Sequence, residues 1–520
     1  MHLTQGLHRA LQQLPDEVAS VFLGRRRTFS ELGSRVSRLA GGLRNLGVKA
    51  GDRVGMLSLN SDRFLEYYLA VYWAGGVVNP VNTRWSPAEI AYSLNDCETL
   101  VLIVDDAFLH LIEDLKQRSK VLKTLIHAGD GAAPVDMHSF EGLIADTAPV
   151  EDAYRGGGDL AGVFYTGGAT GLPKGVMLSH QGLFTNALIY LAEGLVPQRC
   201  VGLHAAPMFH LADGGLMNAM IAGCSTHVII PKFEPLAVLE AIQAERVTAT
   251  TLAPTMIQML ADHPEVERFE LDSLTNVVYS ASPISEPLLE RAIKILPSAD
   301  FNQVYGMTET SVPVTVLAAS YHTDKGRDVG KRFSAGRAAV SVDVRVVDAL
   351  GKEVPRGTAG EVAVRGVGVM QGYWNKPAET AAIVRGGWMH TGDGGRMDED
   401  GFVFIVDRIK DMIVAGGENV YSLEVENAVL KHPAVAMCAV IGVPDEQWGE
   451  RVHAAIVLKP GTKAAAAEII EHCKNLIANY KCPREVVFLD ADAMPLSGAG
   501  KILKHQLRES FWQRRGGKIA

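Results

Sequence analysis

A run of small residues, Thr166-Gly167-Gly168-Ala169-Thr170-Gly171, follows directly on the apolar stretch Ala161 to Tyr165 and is followed in turn by Lys174. No other stretch constrains the chain as much. A short apolar run bounded by glycine reads as a buried strand. Glycines behind it let successive backbone N–H groups turn inward as a nest for an anion. Thr166 and Thr170 add hydroxyl donors and Lys174 a full positive charge, so phosphate is the guest these groups suit. A Walker A loop is excluded, because Pro173 precedes the lysine and Gly175 follows it. No Gly-x-Gly-x-x-Gly occurs, so the dinucleotide fingerprint is missing as well. The bland alternative, a glycine-rich surface turn, leaves the cluster of lysine and threonines behind a strand unexplained.

Either side of this stretch the pattern alternates. Leu32, Val36, Leu39, Leu43 and Leu46 recur at helical spacing from Ser30, and Gly47 closes them. Strands are expected at 53–58 and 99–104 with a helix at 63–73 between them. After the glycine run the rhythm resumes with helix 181–193, strand 226–230, helix 235–245 and strand 276–280. This is the signature of α/β architecture with a largely parallel sheet. From about Ala338 alternating strands (342–347, 361–365 and 402–406) separated by Gly and Pro fit a small β-barrel. Beyond Lys410, helices 422–432 and 465–480 with strands 435–441 and 454–458 suffice for a small α+β domain.

At 520 residues and 47% hydrophobic content the chain supports several domains and a large core. Its 50 basic residues against 59 acidic ones give no global field for nucleic acid or an anionic membrane. The six cysteines form no Cys-x-x-Cys pair, which argues against a zinc ribbon or a disulfide framework and fits a reducing compartment. The N-terminus lacks a signal-peptide core, and the uncharged run 214–231 is broken by Asn218, Ser225, Thr226 and His227, so no integral membrane segment is expected. A cytoplasmic location is the expectation.

Three further stretches carry chemistry. In Asn302-Gln303-Val304-Tyr305-Gly306-Met307-Thr308-Glu309 a hydroxyl and a carboxylate stand side by side. Glu309 is a hard oxygen ligand of the kind magnesium uses beside nucleotide phosphates, and Tyr305 offers a flat face for a purine. Alone, this stretch reads equally well as a strand end capping a helix. Asp393, in Thr391-Gly392-Asp393, suits two vicinal hydroxyls, and Arg408 is placed to pair with it. Its bland reading is a turn aspartate in a surface ion pair. Lys501 follows two glycines in Ser497-Gly498-Ala499-Gly500, as a cation able to enter and leave a site, although alone it reads as a solvated C-terminal lysine.

The order and spacing of these stretches resemble the adenylate-forming enzymes (acyl-CoA synthetases, luciferases and peptide-synthetase adenylation domains) from Thr28 to Lys501. Further matches are Ala206-Pro207-Met208-Phe209-His210, Ser280-Ala281-Ser282-Pro283, Gly372-Tyr373-Trp374-Asn375-Lys376-Pro377 and Gly416-Gly417-Glu418-Asn419-Val420-Tyr421. The family usually has Ser and Thr where this chain has Gly168 and Ala169, which moves phosphate contact onto the backbone. The resemblance implies an N-terminal region, residues 1–409, of two α/β subdomains plus a β-barrel, and a small mobile α+β C-terminal domain, residues 410–520. It implies ATP, magnesium and coenzyme A as partners in a two-step reaction, acyl-AMP formation and then transfer to a thiol.

By the same resemblance, Thr166, Gly167, Gly168, Ala169, Thr170, Gly171 and Lys174 cradle the β- and γ-phosphates. Thr308 contacts the α-phosphate, and Glu309 holds the metal. Ala281, Ser282, Asn302, Tyr305 and Gly306 lie about adenine, and Asp393 and Arg408 hold ribose. Lys501 is the catalytic cation that bridges carboxylate and α-phosphate, Lys410 is the hinge, and Gly416 and Gly417 line the pantetheine path. Met208, Phe209, His210, Ser280, Gly306 and Met307 form the acyl pocket. None of these pocket residues is charged, which suits a fatty or an aromatic (benzoate- or cinnamate-type) acid. Another acceptor, as in acyl-AMP ligases or luciferases, and a non-catalytic adenylate-binding regulator are the alternatives, and a homodimer is left open. Leu271-Asp272-Ser273-Leu274 is set aside as a carrier site because Glu270 replaces the usual glycine. His204 and His210 lack a third partner for zinc, and no Gly-x-Ser-x-Gly nucleophile elbow exists.

Overall fold

The computed structural model describes residues 1–167, 172–408, 411–415, 418–445, 448–497 and 501–513. Among them, the residues up to 408 build two large sheets and one small one. The first large sheet has eight strands, ordered Gly372–Tyr373, Lys174–Ser179, Leu160–Thr166, Val77–Pro80, Arg53–Leu57, Val101–Val104, Thr124–His127 and His138–Ser139. The second has nine, with Asp300–Tyr305, Asn276–Tyr279, Ala249–Leu252, Val201–His204, Thr226–Ile229 and Val18–Phe22 in parallel succession and antiparallel strands at both edges. Mixed sheets with helices on their faces are what the alternating pattern predicts.

Local signals explain the elements well. Thr28 caps helix Phe29–Asn45 by accepting the Glu31 N–H, and Glu31 returns a bond to the Thr28 N–H. Such a cap is worth about 1 kcal/mol. The helix buries Leu32, Val36, Leu39 and Leu43, and Gly47 follows it at φ +91°. Helix Asp62–Ala74 is buried along its whole length, charged residues included. Its Glu66 is held by Arg35 at 2.6 Å and Arg27 at 3.3 Å, and Arg35 also grips Glu141 at 2.8 Å. Burial of Glu66 is therefore compensated by hydrogen-bonded partners.

The alternating strands after 338 form a five-stranded antiparallel sheet, Val342–Val347, Ala359–Gly366, Trp388–Met397 and Val384–Arg385, with Val403–Arg408 beside Trp388–Met397. The expected β-barrel takes the form of a curled half-barrel. A separate five-stranded sheet holds Ile413–Ala415, Glu418–Val420, Val435–Asp445, Gly449–Leu458 and Glu485–Phe488. Helices Ser422–Leu430 and Ala466–Lys474 pack together beside it, and Lys504–Gln513 lies on strand Val435–Asp445. The helix expected over 465–480 stops at Lys474, because the Leu476 and Ile477 N–H groups both turn back to the Cys473 carbonyl. This unit is tied to the half-barrel by the Ser422 N–H, which donates to Asp407. Lys504 closes the same junction on Glu426 at 2.7 Å. No helix among the described residues is long and apolar enough to cross a membrane.

Candidate active site

Strand Leu160–Thr166 does not run into a helix. It pairs antiparallel with Lys174–Ser179, and Thr166 faces Lys174 across the pair. The glycine run is thus the connection of a hairpin, and the second strand escaped the sequence reading. Gly168, Ala169, Thr170 and Gly171 lie outside the described residues. Thr166 and Lys174 are half-buried at the two strand ends. The hairpin is anchored from below: the Tyr165 hydroxyl donates to Asp96 Oδ2 at 2.6 Å, and the Trp374 indole N–H donates to the Asp96 carbonyl at 2.8 Å.

Strand Gly372–Tyr373 pairs with Lys174–Ser179, which brings Tyr373 beside the phosphate cation. The Lys174 Nζ stands 5.0 Å from the centre of the Tyr373 ring, within cation–π range. The same tyrosine donates its hydroxyl to Glu309 Oε1 at 2.8 Å. Burial and the neighbouring Glu309 carboxylate push the phenol's pKa well up, so it remains a donor. Glu309 lies in the short turn Thr308–Thr310 after strand Asp300–Tyr305. Its Oε2 meets no protein donor among the described residues, which fits a hard cation at that oxygen. Lys174, Tyr373 and Glu309 therefore form one continuous group. The sequence reading quoted Tyr373 without giving it a role; the aromatic-rich Gly372-Tyr373-Trp374 was the available signal.

Tyr373→Phe keeps the ring under Lys174 and removes only the bond that orients Glu309. A hydrogen bond to a charged acceptor is worth about 1.5–3 kcal/mol. The variant should therefore need about tenfold more magnesium for half-maximal pyrophosphate release, with little change in melting temperature. An unchanged magnesium requirement would remove Tyr373 from that role.

A second pair closes the other side. The Tyr305 hydroxyl donates to Asp393 Oδ2 at 2.7 Å, joining a strand of the nine-stranded sheet to the half-barrel. Asp393 is held by a tight turn at Gly392, φ +72°, in which its N–H donates to the Thr391 hydroxyl at 3.1 Å. Asp393 and Arg408 stand opposite each other in register, although the Arg408 side chain is outside the described residues. Asn302 is buried and accepts the Ala319 N–H at 2.9 Å, so its amide braces the next segment. Ala281 adopts φ +75°, a left-handed conformation unusual for a residue with a Cβ, and Ser282 beside it is half-buried. A Cβ at Gly306 would meet the Val314 nitrogen at 3.2 Å and Val312 Cα at 3.3 Å. Its smallness therefore serves the close return of residues 312–314.

The proposed acyl segment is fixed by Asn60, which accepts the Met208 N–H at 2.8 Å and donates to the Ala206 carbonyl at 2.9 Å. Met208 and Phe209 are buried in the main core, whereas His210, Ser280 and Met307 are half-buried. His210 caps helix Leu211–Ala222, its Nδ1 accepting the Ala212 N–H at 3.1 Å. Burial pushes its imidazole down to about 4, so at neutral pH the ring is uncharged and its proton sits on Nε2. His204 is not with it. It is buried between Asp213 at 2.7 Å and His227 at 2.9 Å.

Lys501 closes a turn with Ser497: its N–H donates to the Ser497 hydroxyl at 3.0 Å, and its carbonyl accepts the Ser497 N–H at 2.7 Å. The Ser497 carbonyl in turn accepts from Arg84 Nη1 at 2.7 Å, which sets this turn against the loop following strand Val77–Pro80. Lys410, Gly416 and Gly417 lie outside the described residues.

The chain matches the family model described as AMP-binding enzyme over residues 7–374, and that of the AMP-binding enzyme C-terminal domain over residues 424–501. It is 38% identical over 486 residues to a feruloyl-CoA synthase of an Amycolatopsis species, covering 93% of this chain and 94% of that one. It is 36% identical over 536 residues to a medium/long-chain-fatty-acid–CoA ligase of Mycobacterium tuberculosis, with coverage of 99% and 90%. Among solved structures, an anthranilate CoA ligase in complex with anthranoyl-AMP superposes with a TM-score of 0.90 at 26% identity, covering 99% of this chain and 98% of that one.

Proposed function

The chain belongs to the AMP-binding enzymes, and from that premise we propose how its residues divide the work. It is an AMP-forming acid–CoA ligase that uses ATP, magnesium and coenzyme A on fatty or aromatic acids. The observation that carries the assignment of sites is the convergence of Lys174, Tyr373 and Glu309 at the end of the glycine hairpin. A cation and a carboxylate with an open oxygen, fixed by one tyrosine, suit a magnesium-bound polyphosphate.

In the first step a substrate carboxylate oxygen bonds to the α-phosphorus of ATP, and the bond from that phosphorus to pyrophosphate breaks. Residues 166–174 hold the β- and γ-phosphates, with Lys174 as the fixed charge. Thr308 sits at the α-phosphate. Ala281, Ser282, Asn302 and Tyr305 surround adenine, and Asp393 with Arg408 takes the ribose hydroxyls. Bound magnesium would supply charge neutralisation on the phosphates, held by Glu309. Lys501 supplies positive charge where it builds up on the phosphoryl oxygens, an electrostatic contribution of the kind that dominates such reactions. In the second step the CoA sulfur bonds to the acyl carbon and AMP leaves. We place the hinge for this exchange at Lys410, the pantetheine path at Gly416 and Gly417, and the domain boundary between Ile409 and Lys410.

His210 presents its neutral Nε2–H on the acyl side, with Ser280 and Met307 as the remaining half-buried wall. A wall without charge favours an uncharged acyl group and disfavours a second carboxylate or an amine. An ATP- and CoA-dependent assay of AMP release over fatty, benzoic and cinnamic acids tests this. Monocarboxylates should exceed dicarboxylates of equal length by at least about tenfold in kcat/KM, the ratio set by roughly 1.4 kcal/mol of desolvation. A dicarboxylate preference would overturn the pocket assignment. We also place the enzyme in the cytoplasm, on the strength of its six buried, unpaired cysteines.

A further inference from the structure

Arg84 stands on the loop between strand Val77–Pro80 and helix Pro87–Asp96, and two bonds make that loop rigid. The Asn82 side chain accepts the Arg84 N–H at 3.0 Å, and Ser86 caps the next helix in a reciprocal pair with Glu89. The neighbouring Trp85 packs edge-on against Tyr165, ring centres 6.4 Å apart, and Tyr165 immediately precedes Thr166 of the phosphate hairpin. From the same loop Arg84 Nη1 donates to the Ser497 carbonyl, and Ser497 closes the turn that carries Lys501. An unbroken physical path therefore runs from the phosphate hairpin through Trp85 and Arg84 to the Lys501 turn, across 413 residues of sequence.

The kind of bond matters as much as its place. Among the described residues Arg84 pairs with no carboxylate; its side-chain bond is to a neutral carbonyl. The Arg84–Ser497 bond is itself exposed, and elsewhere the C-terminal unit faces helix Glu286–Ile295 across a cleft of about 370 Å³ lined by Leu288, Arg291, Leu430, Val435 and Lys459. A guanidinium–carbonyl bond so exposed holds a turn in register yet breaks at modest cost.

We propose that Arg84 is a positioning residue for Lys501, a releasable latch that registers the Lys501 turn over the phosphate hairpin for adenylate formation and lets go before thioester formation. The proposal rests on the assignment of Lys501 to the first step. Arg84 itself touches neither reactant.

The test is Arg84→Met in the full chain, which keeps the apolar stem and removes the donor. At saturating acid and ATP, pyrophosphate release should slow about tenfold, the size expected for one hydrogen bond from a charged donor. The Michaelis constant for ATP should stay within about twofold, since ATP makes no contact with this residue, and thioester formation from supplied acyl-AMP and CoA should be unchanged. Spin labels at exposed Lys120→Cys and Asp492→Cys report the distance between the two units, the native cysteines all being buried. With ATP bound, Arg84→Met should broaden that distance distribution. Equal slowing of both half-reactions, a tenfold rise in the ATP constant at unchanged kcat, or an unaltered distance distribution would each overturn the latch. If Lys501→Ala still made adenylate at near the wild-type rate, the reading of Lys501 would fail and the latch with it; where Lys501→Ala loses adenylate synthesis, the Arg84→Met outcomes bear on the latch alone.

Discussion

Lys501→Ala is expected to lose about 100- to 1,000-fold in acyl-adenylate synthesis, the 3–4 kcal/mol typical of one positioned electrostatic contact. The same variant is expected to convert supplied acyl-AMP and CoA into thioester at nearly the wild-type rate. The asymmetry follows from where the lysine is mounted. Its turn is closed on Ser497 and belongs to the unit built on strands Val435–Asp445 and Gly449–Leu458, whereas the phosphate hairpin, Tyr373 and Glu309 belong to the preceding sheets. On the proposed assignment, the arrangement that brings Ser497 to Arg84 is the one in which the lysine serves the reacting phosphate. Substitution by alanine removes the charge and leaves both backbone bonds of the turn, so the fold of the unit is retained. Separate assays of pyrophosphate release and of thioester formation from synthetic acyl-AMP decide the matter. Adenylate formation at near wild-type rate, or equal failure of both steps in a folded variant, would show that Lys501 does not serve the first step alone.

The two predictions that involve Lys501 and Tyr373 differ in how far sequence reasoning could reach them. Lys174, Glu309 and Asp393 could be singled out as candidates because each sits in a short stretch whose residue types suggest a chemistry, whereas Lys501, alone no more than a solvated lysine, was singled out by the order of the stretches. The helices were visible because Thr28, Glu31 and the Leu32–Leu43 spacing act within a few residues of each other. Partners were not visible. Tyr373 reaches Glu309 across 64 residues, Tyr305 reaches Asp393 across 88, and Arg84 reaches Ser497 across 413. No periodicity records such contacts; strand order creates them, here by setting Gly372–Tyr373 at the edge beside Lys174–Ser179. Strand Lys174–Ser179 was not read from the sequence, which placed the next element after the glycine run at helix 181–193; the Thr166 and Lys174 register pairs it with Leu160–Thr166. Residue type also cannot say which way a side chain leaves the backbone: the burial of Met208 and the closeness of Val312 and Val314 to Gly306 are set by the fold.

Below pH 6.5 the protein is expected to lose stability steeply, by about 4 kcal/mol at pH 5 relative to pH 7.5, through two histidines that play no part in the reaction. His180 and His322 are both buried, and both imidazoles are pushed from an ordinary 6.5 down to about 4. For His180 the first cause is burial, opposed by Asp159 and reinforced by Arg155 and His2. Neither of its ring nitrogens has a hydrogen-bond partner among the described residues, and its ring packs against Tyr72 at 5.4 Å. For His322 burial again comes first, and the Ala318 carbonyl, 3.3 Å from Nδ1, opposes it weakly. That carbonyl can only accept, so the proton sits on Nδ1 and Nε2 is left to accept the Tyr279 hydroxyl at 2.7 Å. Protonating Nε2 forces that bond to reverse, the Tyr279 oxygen accepting while its own proton turns to Gln303 Oε1 at 3.2 Å, and leaves a positive charge in the core. The sign follows from linkage: as pH falls through 6.5 the unfolded chain takes up protons that the folded chain refuses until about pH 4, so stability is full above the unfolded value and is lost on the way down. Each histidine contributes about 2 kcal/mol of this difference at pH 5, and two together approach the whole stability of a marginal protein, some 5–15 kcal/mol. His227, pushed well below its ordinary value by burial and by His204, acts in the same direction. Urea unfolding at pH 7.5 and 5 measures the effect. His180→Phe retains the ring against Tyr72 but cannot titrate, and should shrink the difference between the two pH values by about 2 kcal/mol. His322→Asn should do the same while keeping an acceptor for Tyr279. A variant whose pH dependence matched the wild type would show that its histidine is already solvated, or already charged, in the folded protein.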